Sequence, residues 1–248
     1  MTYEAEKDSS AARLRQQMAV VIPCYNPGDR VLPVIESVRT CVDTVIVVDD
    51  GSTDGLADKL SGQAVRVITF EKNRGKGHSL LAGFQEALAC EHIHCIATLD
   101  SDGQHDPADL PALYEAFCGN GADLIIGARS FDSTRIPWRS RFGNRLTALL
   151  SRVFLGRHIT DTQSGYRLHS RRLAEAVLEA VPGGRYETEL AILALAVRGG
   201  FVAHSAPIRT IYEEGNQSSH FKVFRDSFRI YRKLLAILLR QRRTGSKG

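Results

Sequence analysis

An α/β fold, with a mostly parallel central sheet flanked by helices, is what this sequence predicts, and three observations carry the prediction. Short Val- and Ile-rich runs alternate with helical patterns along residues 20–127. The residues just after each run are rich in Asp, Asn, Gly or basic side chains. Beyond about residue 130 the pattern turns helical and basic. Strands buried on both faces read as continuous apolar runs, and strand–helix alternation implies parallel strands joined by right-handed crossovers.

The elements follow in order. VVIP (20–23) is the first strand, followed by a helix over 30–41. TVIVV (44–48) precedes a helix over 54–61, and VRVIT (65–69) precedes one over 77–90. HCIATL (94–99) leads to a helix over 107–118, and ADLIIG (122–127) closes the series. Asp106-Pro107 has the form of a helix cap followed by Pro at the first helical position, and Asp54 reads as the cap of an earlier helix. Two amphipathic helices are then expected. Residues 138–157 place Trp138, Phe142, Leu146, Leu149 and Val153 on one face. Residues 221–240 do the same with Phe221, Phe224, Phe228, Tyr231, Leu235 and Leu238. Residues 1–17 are expected as a flexible polar tail, 18–218 as the main domain, and 219–248 as a basic amphipathic helix and tail.

Composition narrows the class. Hydrophobic content of 43% and charged content of 24% are ordinary for a globular protein. The five cysteines include no Cys-x-x-Cys pair and lie mostly in or beside apolar runs, so free thiols in a reducing cytoplasm are expected. The first residues lack the apolar core of a signal peptide, and an unbroken apolar run such as Leu234–Leu239 is far short of a membrane span. Residues 221–248 carry nine of the 32 Lys and Arg but only one of the 28 Asp and Glu. An acidic body with a basic end suits an anionic surface, and no nucleic-acid-binding motif accompanies the charge, so no nucleic acid partner is expected.

In an open parallel sheet, ligands bind outside the carboxyl ends of the strands. Four loops there carry the chemistry: PCYNPG (23–28), DDGSTDG (49–55), EKNRGKG (71–77) and DSDGQHD (100–106). Asp100, Asp102 and Gln104 alternate after the fourth strand and can offer oxygen ligands to one hard cation, which would find its remaining ligands on substrate phosphates. His105 can reach the same metal or a phosphate. An Asp in DDGSTD can accept hydrogen bonds from a nucleobase or ribose, with Gly51 allowing close approach. Arg74 and Lys76, bracketed by glycines, suit a diphosphate.

P-x-Y-N, V-V-D-D-G-S-x-D, N-x-G-K-G and D-x-D-x-Q, in this order, resemble an inverting family 2 glycosyltransferase of the Rossmann-like GT-A fold. DTQSGYR (161–167) is similar to a segment of the dolichyl- and polyprenyl-phosphate sugar transferases. The resemblance implies a nucleotide site of Pro23, Tyr25, Asn26, Asp50, Lys76 and Asp100, and Mg²⁺ or Mn²⁺ on Asp100, Asp102 and Gln104. It implies catalytic roles for Asp102, Asp161 and Arg129, and contacts to sugar or acceptor from Ser164, Arg167 and Glu189. Two positions depart from the family pattern: Pro27 where Glu is frequent, and Tyr212 in the Arg position of an R-x-x-G-x-S-K segment.

The implied partners are a UDP- or GDP-sugar donor and a lipid-linked acceptor met at the inner face of the membrane, which the basic helices would contact peripherally. As the sugar leaves, charge grows on the diphosphate, and cations stabilise it. A phosphate acceptor is already ionised. A hydroxyl acceptor needs a base, for which Asp161 stands first and Glu187 and Glu189 behind it. The competing reading is a non-catalytic nucleotide-sugar-binding or scaffold protein that retains the pocket.

Overall fold

The computed structural model describes residues 3–129, 159, 161–162, 164–185 and 187–209. Tyr212, the basic helices expected at 138–157 and 221–240, and the boundary expected after residue 218 lie outside those residues. Five strands fall on the predicted runs: β1 (Met18–Cys24), β2 (Thr44–Asp49), β3 (Arg66–Thr69), β4 (Cys95–Thr98) and β5 (Leu124–Arg129). Between them lie α2 (Val31–Cys41), α3 (Leu56–Leu60), α4 (Lys76–Leu88) and α5 (Leu110–Gly119). Two strands follow that the apolar pattern did not reveal, β6 (Arg167–Ser170) and β7 (Ala203–Ile208). They alternate with α6 (Arg171–Ala180) and α7 (Glu187–Arg198).

The seven strands form one sheet in the order β3-β2-β1-β4-β6-β5-β7. All described pairings are parallel except those of β6, which runs antiparallel to both β4 and β5. The chain builds outward from β1 to β3, then returns to place β4 on the other side of β1. That reversal opens a crevice at the carboxyl ends of β1 and β4, where ligands settle in such sheets.

Every residue of β1 is buried, and alternation divides them between two cores. Met18, Val20 and Ile22 join Val34, Ile35 and Val38 of α2 and Leu113 of α5 on one face. Ala19 and Val21 join Phe84 of α4, Val177 of α6 and Leu193 of α7 on the other. Asp123 fastens the far half of the sheet: its carboxylate accepts hydrogen bonds from Ser170 Oγ, the Arg172 guanidinium and the Val202 N–H.

Residues 3–17, expected as a loose tail, instead form helix α1 (Tyr3–Gln17). The segment has no apolar stripe, so periodicity could not reveal it. Its Ala, Glu, Lys, Arg and Gln content favours helix, and Leu14 is buried in the first core. Arg15 adds an ion pair to Asp43 at 2.7 Å.

Candidate active site

The loops after β1 and β2 are tied together before any ligand is considered. Asn26 sits at φ 49°, a left-handed conformation that Asn tolerates. Its N–H donates to Ser52 Oγ at 3.0 Å, and its side-chain oxygen accepts from the Thr53 N–H at 2.7 Å. Asn26, expected to bind nucleotide, is therefore occupied in bracing one loop against the other. Asp54, expected to cap a helix, instead accepts a 2.8 Å hydrogen bond from the Gly28 N–H, and α3 begins without a side-chain cap. At Gly51 the main chain of the next loop comes close: a Cβ there would lie 2.6 Å from the Lys72 carbonyl carbon.

Asp50 is buried, and its two oxygens accept from the N–H groups of Arg74 and Gly75 at 2.7 and 2.8 Å. It thus fixes the loop entering α4, and each oxygen keeps a further lone pair. A cleft of about 580 Å³ opens here, lined by Pro23, Cys24, Tyr25, Asp50, Asn73, Gly75, Lys76, Ser79 and Arg185. Of the expected nucleotide residues, Pro23, Tyr25, Asp50 and Lys76 meet in this cleft. Tyr25 is 53% exposed, a large aromatic side chain left open to solvent on the cleft wall. Burial pushes the Cys24 thiol up to about 12, so it is a neutral wall rather than a nucleophile.

Beside the cleft lies a charged centre. Lys76 Nζ is 2.5 Å from Asp100 Oδ1 and 3.1 Å from Glu189 Oε1. Burial opposes the Lys76 charge, but the two carboxylates outweigh it and hold the ammonium above its usual range. Burial also opposes ionisation of Asp100, yet Lys76, helped by His105 and Arg129, holds that carboxyl below the ordinary value. Gly165 closes over the pair: a Cβ there would lie 2.4 Å from Asp100 Oδ2 and 2.7 Å from Lys76 Nζ. The Gly165 carbonyl is fixed by Thr98 Oγ1 at 2.8 Å.

Asp102 is partly exposed and differs from Asp100 in its balance. Burial, then the charge of Asp100, pushes its carboxyl up, and its Oδ1 accepts from the Gln104 N–H at 3.0 Å. His105 is buried with its Nδ1 unpartnered, and burial is the chief influence holding its imidazole down. Among the described residues no group of three His, Cys, Asp or Glu side chains is placed to hold a metal. A pair of carboxylates in excess negative charge fits a hard divalent cation that takes its other ligands from water and substrate oxygens.

The remaining expected residues form the wall toward β5 and α7. Arg129 grips Asp161 with two prongs, Nε to Oδ2 at 2.7 Å and a terminal nitrogen to Oδ1 at 3.2 Å. Both Asp161 oxygens thereby pair with Arg129, so any role as base would be exercised from within that ion pair. Arg167, expected to meet acceptor or sugar, is fully buried and donates instead to three main-chain carbonyls, those of Thr162, Ser164 and Glu189. Ser164 is also buried, its Oγ accepting from the Tyr166 N–H. Glu189 reaches the centre through Lys76. Asn73 opens the N-x-G-K-G motif but was given no role of its own, and Ser79 and Arg185 were not singled out, because no motif distinguishes a cleft-lining Ser in a helix from any other.

The family model "Glycosyl transferase family 2" matches residues 19–178. The polyprenol monophosphomannose synthase of Mycolicibacterium smegmatis is 32% identical over 216 residues, covering 82% of this chain and 81% of that one. The UDP-N-acetylglucosamine–dolichyl-phosphate N-acetylglucosaminyltransferase of Methanococcus voltae is 26% identical over 239 residues, covering 88% and 94%. Among solved structures, the glucosyl-3-phosphoglycerate synthase of Mycobacterium tuberculosis, with Mn²⁺, UDP-glucose and phosphoglyceric acid, superposes with a TM-score of 0.68. That match has 22% identity and covers 95% of this chain and 84% of the other. The fold is that of the GT-A glycosyltransferases. The chain belongs to glycosyl transferase family 2 and acts on nucleotide sugars.

Proposed function

We propose that this chain transfers a sugar, with inversion, from a UDP- or GDP-sugar to a polyprenyl phosphate acceptor at the inner face of a membrane, with Mg²⁺ or Mn²⁺ as cofactor. The observation that carries the proposal is Lys76, which lines the cleft and there pairs with Asp100 and Glu189, with Asp102 close enough to feel the charge of Asp100. Lys76 is positioned to neutralise charge on a departing diphosphate. Asp100 and Asp102, with Gln104, would hold the cation, which supplies further charge neutralisation to that leaving group. The Asp161 pairing supports a phosphate acceptor, since an ionised phosphate attacks without a base. Arg129 and Asp161 then act as a fixed pair shaping the wall that the acceptor meets. The names of the two relatives support the same acceptor class. Among the described residues no helix is long and apolar enough to cross a membrane.

The test is product formation from a panel of UDP- and GDP-sugars with undecaprenyl phosphate in detergent, with and without EDTA. One donor is expected to label the lipid, with activity lost on chelation and at least 100-fold lower in Asp102→Ala. Full activity of that variant would overturn the metal assignment. Labelling of a soluble phosphate such as 3-phosphoglycerate, with none of the lipid, would overturn the acceptor.

A further inference from the structure

A buried polar group without a partner is costly in a folded protein, so each one asks for an explanation. Ser79 lies on α4, has no exposure to solvent, and its Oγ has no hydrogen-bond partner. It nonetheless lines the cleft with Pro23, Tyr25 and Asp50. An unpaired hydroxyl at the floor of a cleft gains its missing hydrogen bond when a ligand seats against that floor.

Its place on the helix says which part of a ligand. Lys76 lies three residues earlier, on the same helical face, and turns to Asp100 and Glu189. The ionic contacts of a sugar nucleotide belong at that end. The same cleft is lined by Pro23, Tyr25 and Asp50: an apolar ring, an aromatic ring, and a carboxylate whose oxygens each keep a lone pair beyond the main-chain bonds they accept. That lining suits an uncharged moiety with hydrogen-bonding edges.

We propose that the Ser79 hydroxyl hydrogen-bonds the nucleoside part of the donor, making Ser79 a binding residue distinct from the diphosphate contacts. This rests on reading the cleft as the donor site. Base and ribose both present the required chemistry, and the experiment separates them.

The experiment measures, by calorimetry on the full chain with Mn²⁺, dissociation constants for UDP, GDP, ribose 5-phosphate and inorganic pyrophosphate. Wild type is compared with Ser79→Ala, and unliganded melting temperatures are recorded alongside. One neutral hydrogen bond corresponds to an affinity loss of about 3- to 10-fold. The expected result is that loss for the preferred nucleoside diphosphate, with pyrophosphate unchanged. Loss for ribose 5-phosphate as well places the contact on the ribose, and its retention places it on the base. Unliganded Ser79→Ala is expected to melt at the same or a higher temperature, because Ala favours helix and the unpaired hydroxyl is gone. A drop of several degrees would show a structural partner and overturn the inference. Equal nucleotide affinity in both proteins, or equal loss for pyrophosphate, would overturn it too. If wild type binds neither nucleotide, the donor-site reading itself fails and the inference falls with it.

Discussion

Gly165→Ala is the substitution whose consequence follows most directly from the geometry. The added Cβ would lie 2.4 Å from Asp100 Oδ2, 2.7 Å from Lys76 Nζ and 2.9 Å from Asp100 Cγ, where ordinary contact begins at 3.4 Å. The Gly165 backbone lies outside the left-handed region, so the effect is steric rather than conformational. Relief requires a shift of about 1 Å, which the carbonyl tether to Thr98 resists on one side and the salt bridge to Lys76 on the other. Overpacking of this kind costs about 1–3 kcal/mol, or a melting shift of roughly 2–10 °C in a chain this size. A misplacement of about 1 Å at a charged centre costs up to about 10²-fold in rate. The assay is turnover with the preferred donor beside thermal unfolding, with Gly119→Ala as control. A Cβ at Gly119, the last residue of α5, meets nothing within 4 Å, so that control should keep full activity and gain up to about 0.5 kcal/mol. Retention of more than half the wild-type turnover in Gly165→Ala would refute the argument that Asp100 and Lys76 act from the positions seen.

Two further outcomes are expected. Arg129→Lys keeps the charge but cannot reproduce the two-pronged grip on Asp161, so turnover should fall at least about tenfold with nucleotide affinity little changed; unchanged turnover would remove Arg129 from the site. Burial, reinforced by the Arg167 charge, pushes the His169 imidazole down to about 3. The unfolded chain binds that proton near pH 6.5 and the folded chain does not, so stability falls as pH drops from about 6.5 toward 3, by up to about 1.4 kcal/mol per pH unit. His169→Phe should flatten this acid limb, in urea titrations at several pH values, and an unaltered limb would assign it to other groups.

The parallel half of the fold was legible because its strands are continuous apolar runs ending in polar loops. β6 was not, since RLHS carries an Arg and a His inward. Arg167 is buried only because three main-chain carbonyls receive it, and His169 because it stays neutral against Phe84, 4.9 Å between ring centres. β7 was hidden for a related reason: AHSAPI alternates weakly and contains a Pro, which an edge strand tolerates. In the site, motif residues were found but their tasks were not separable by sequence. Asp50, Asn26 and Asp54 all sit in polar loops, yet only the structure shows Asn26 and Asp54 spent on bracing main chain while Asp50 also faces the cleft. Arg167 shows the converse, a charged motif residue whose task is to hold α7 against the loop before β6.

The balance of charge at the centre gives the strongest reason to expect a cation beside the donor. Lys76 carries one positive charge and stands between Asp100 and Glu189, which leaves that triad with a net negative charge before Asp102 is counted. Arg129 and Asp161 cancel each other. Burial and Asp100 already make ionisation of Asp102 harder. A nucleoside diphosphate would bring further negative charge to the same place, and like charges at contact distance repel strongly where water is scarce. Arg185, on the cleft wall, adds one positive charge, which is too little to offset two phosphates and Asp102 together. Among the described residues an excess of negative charge therefore remains, and a divalent ion would offset two charges of it. Donor binding that is equally tight with and without Mg²⁺ or Mn²⁺ would therefore contradict the electrostatics of this centre as well as the proposed cofactor.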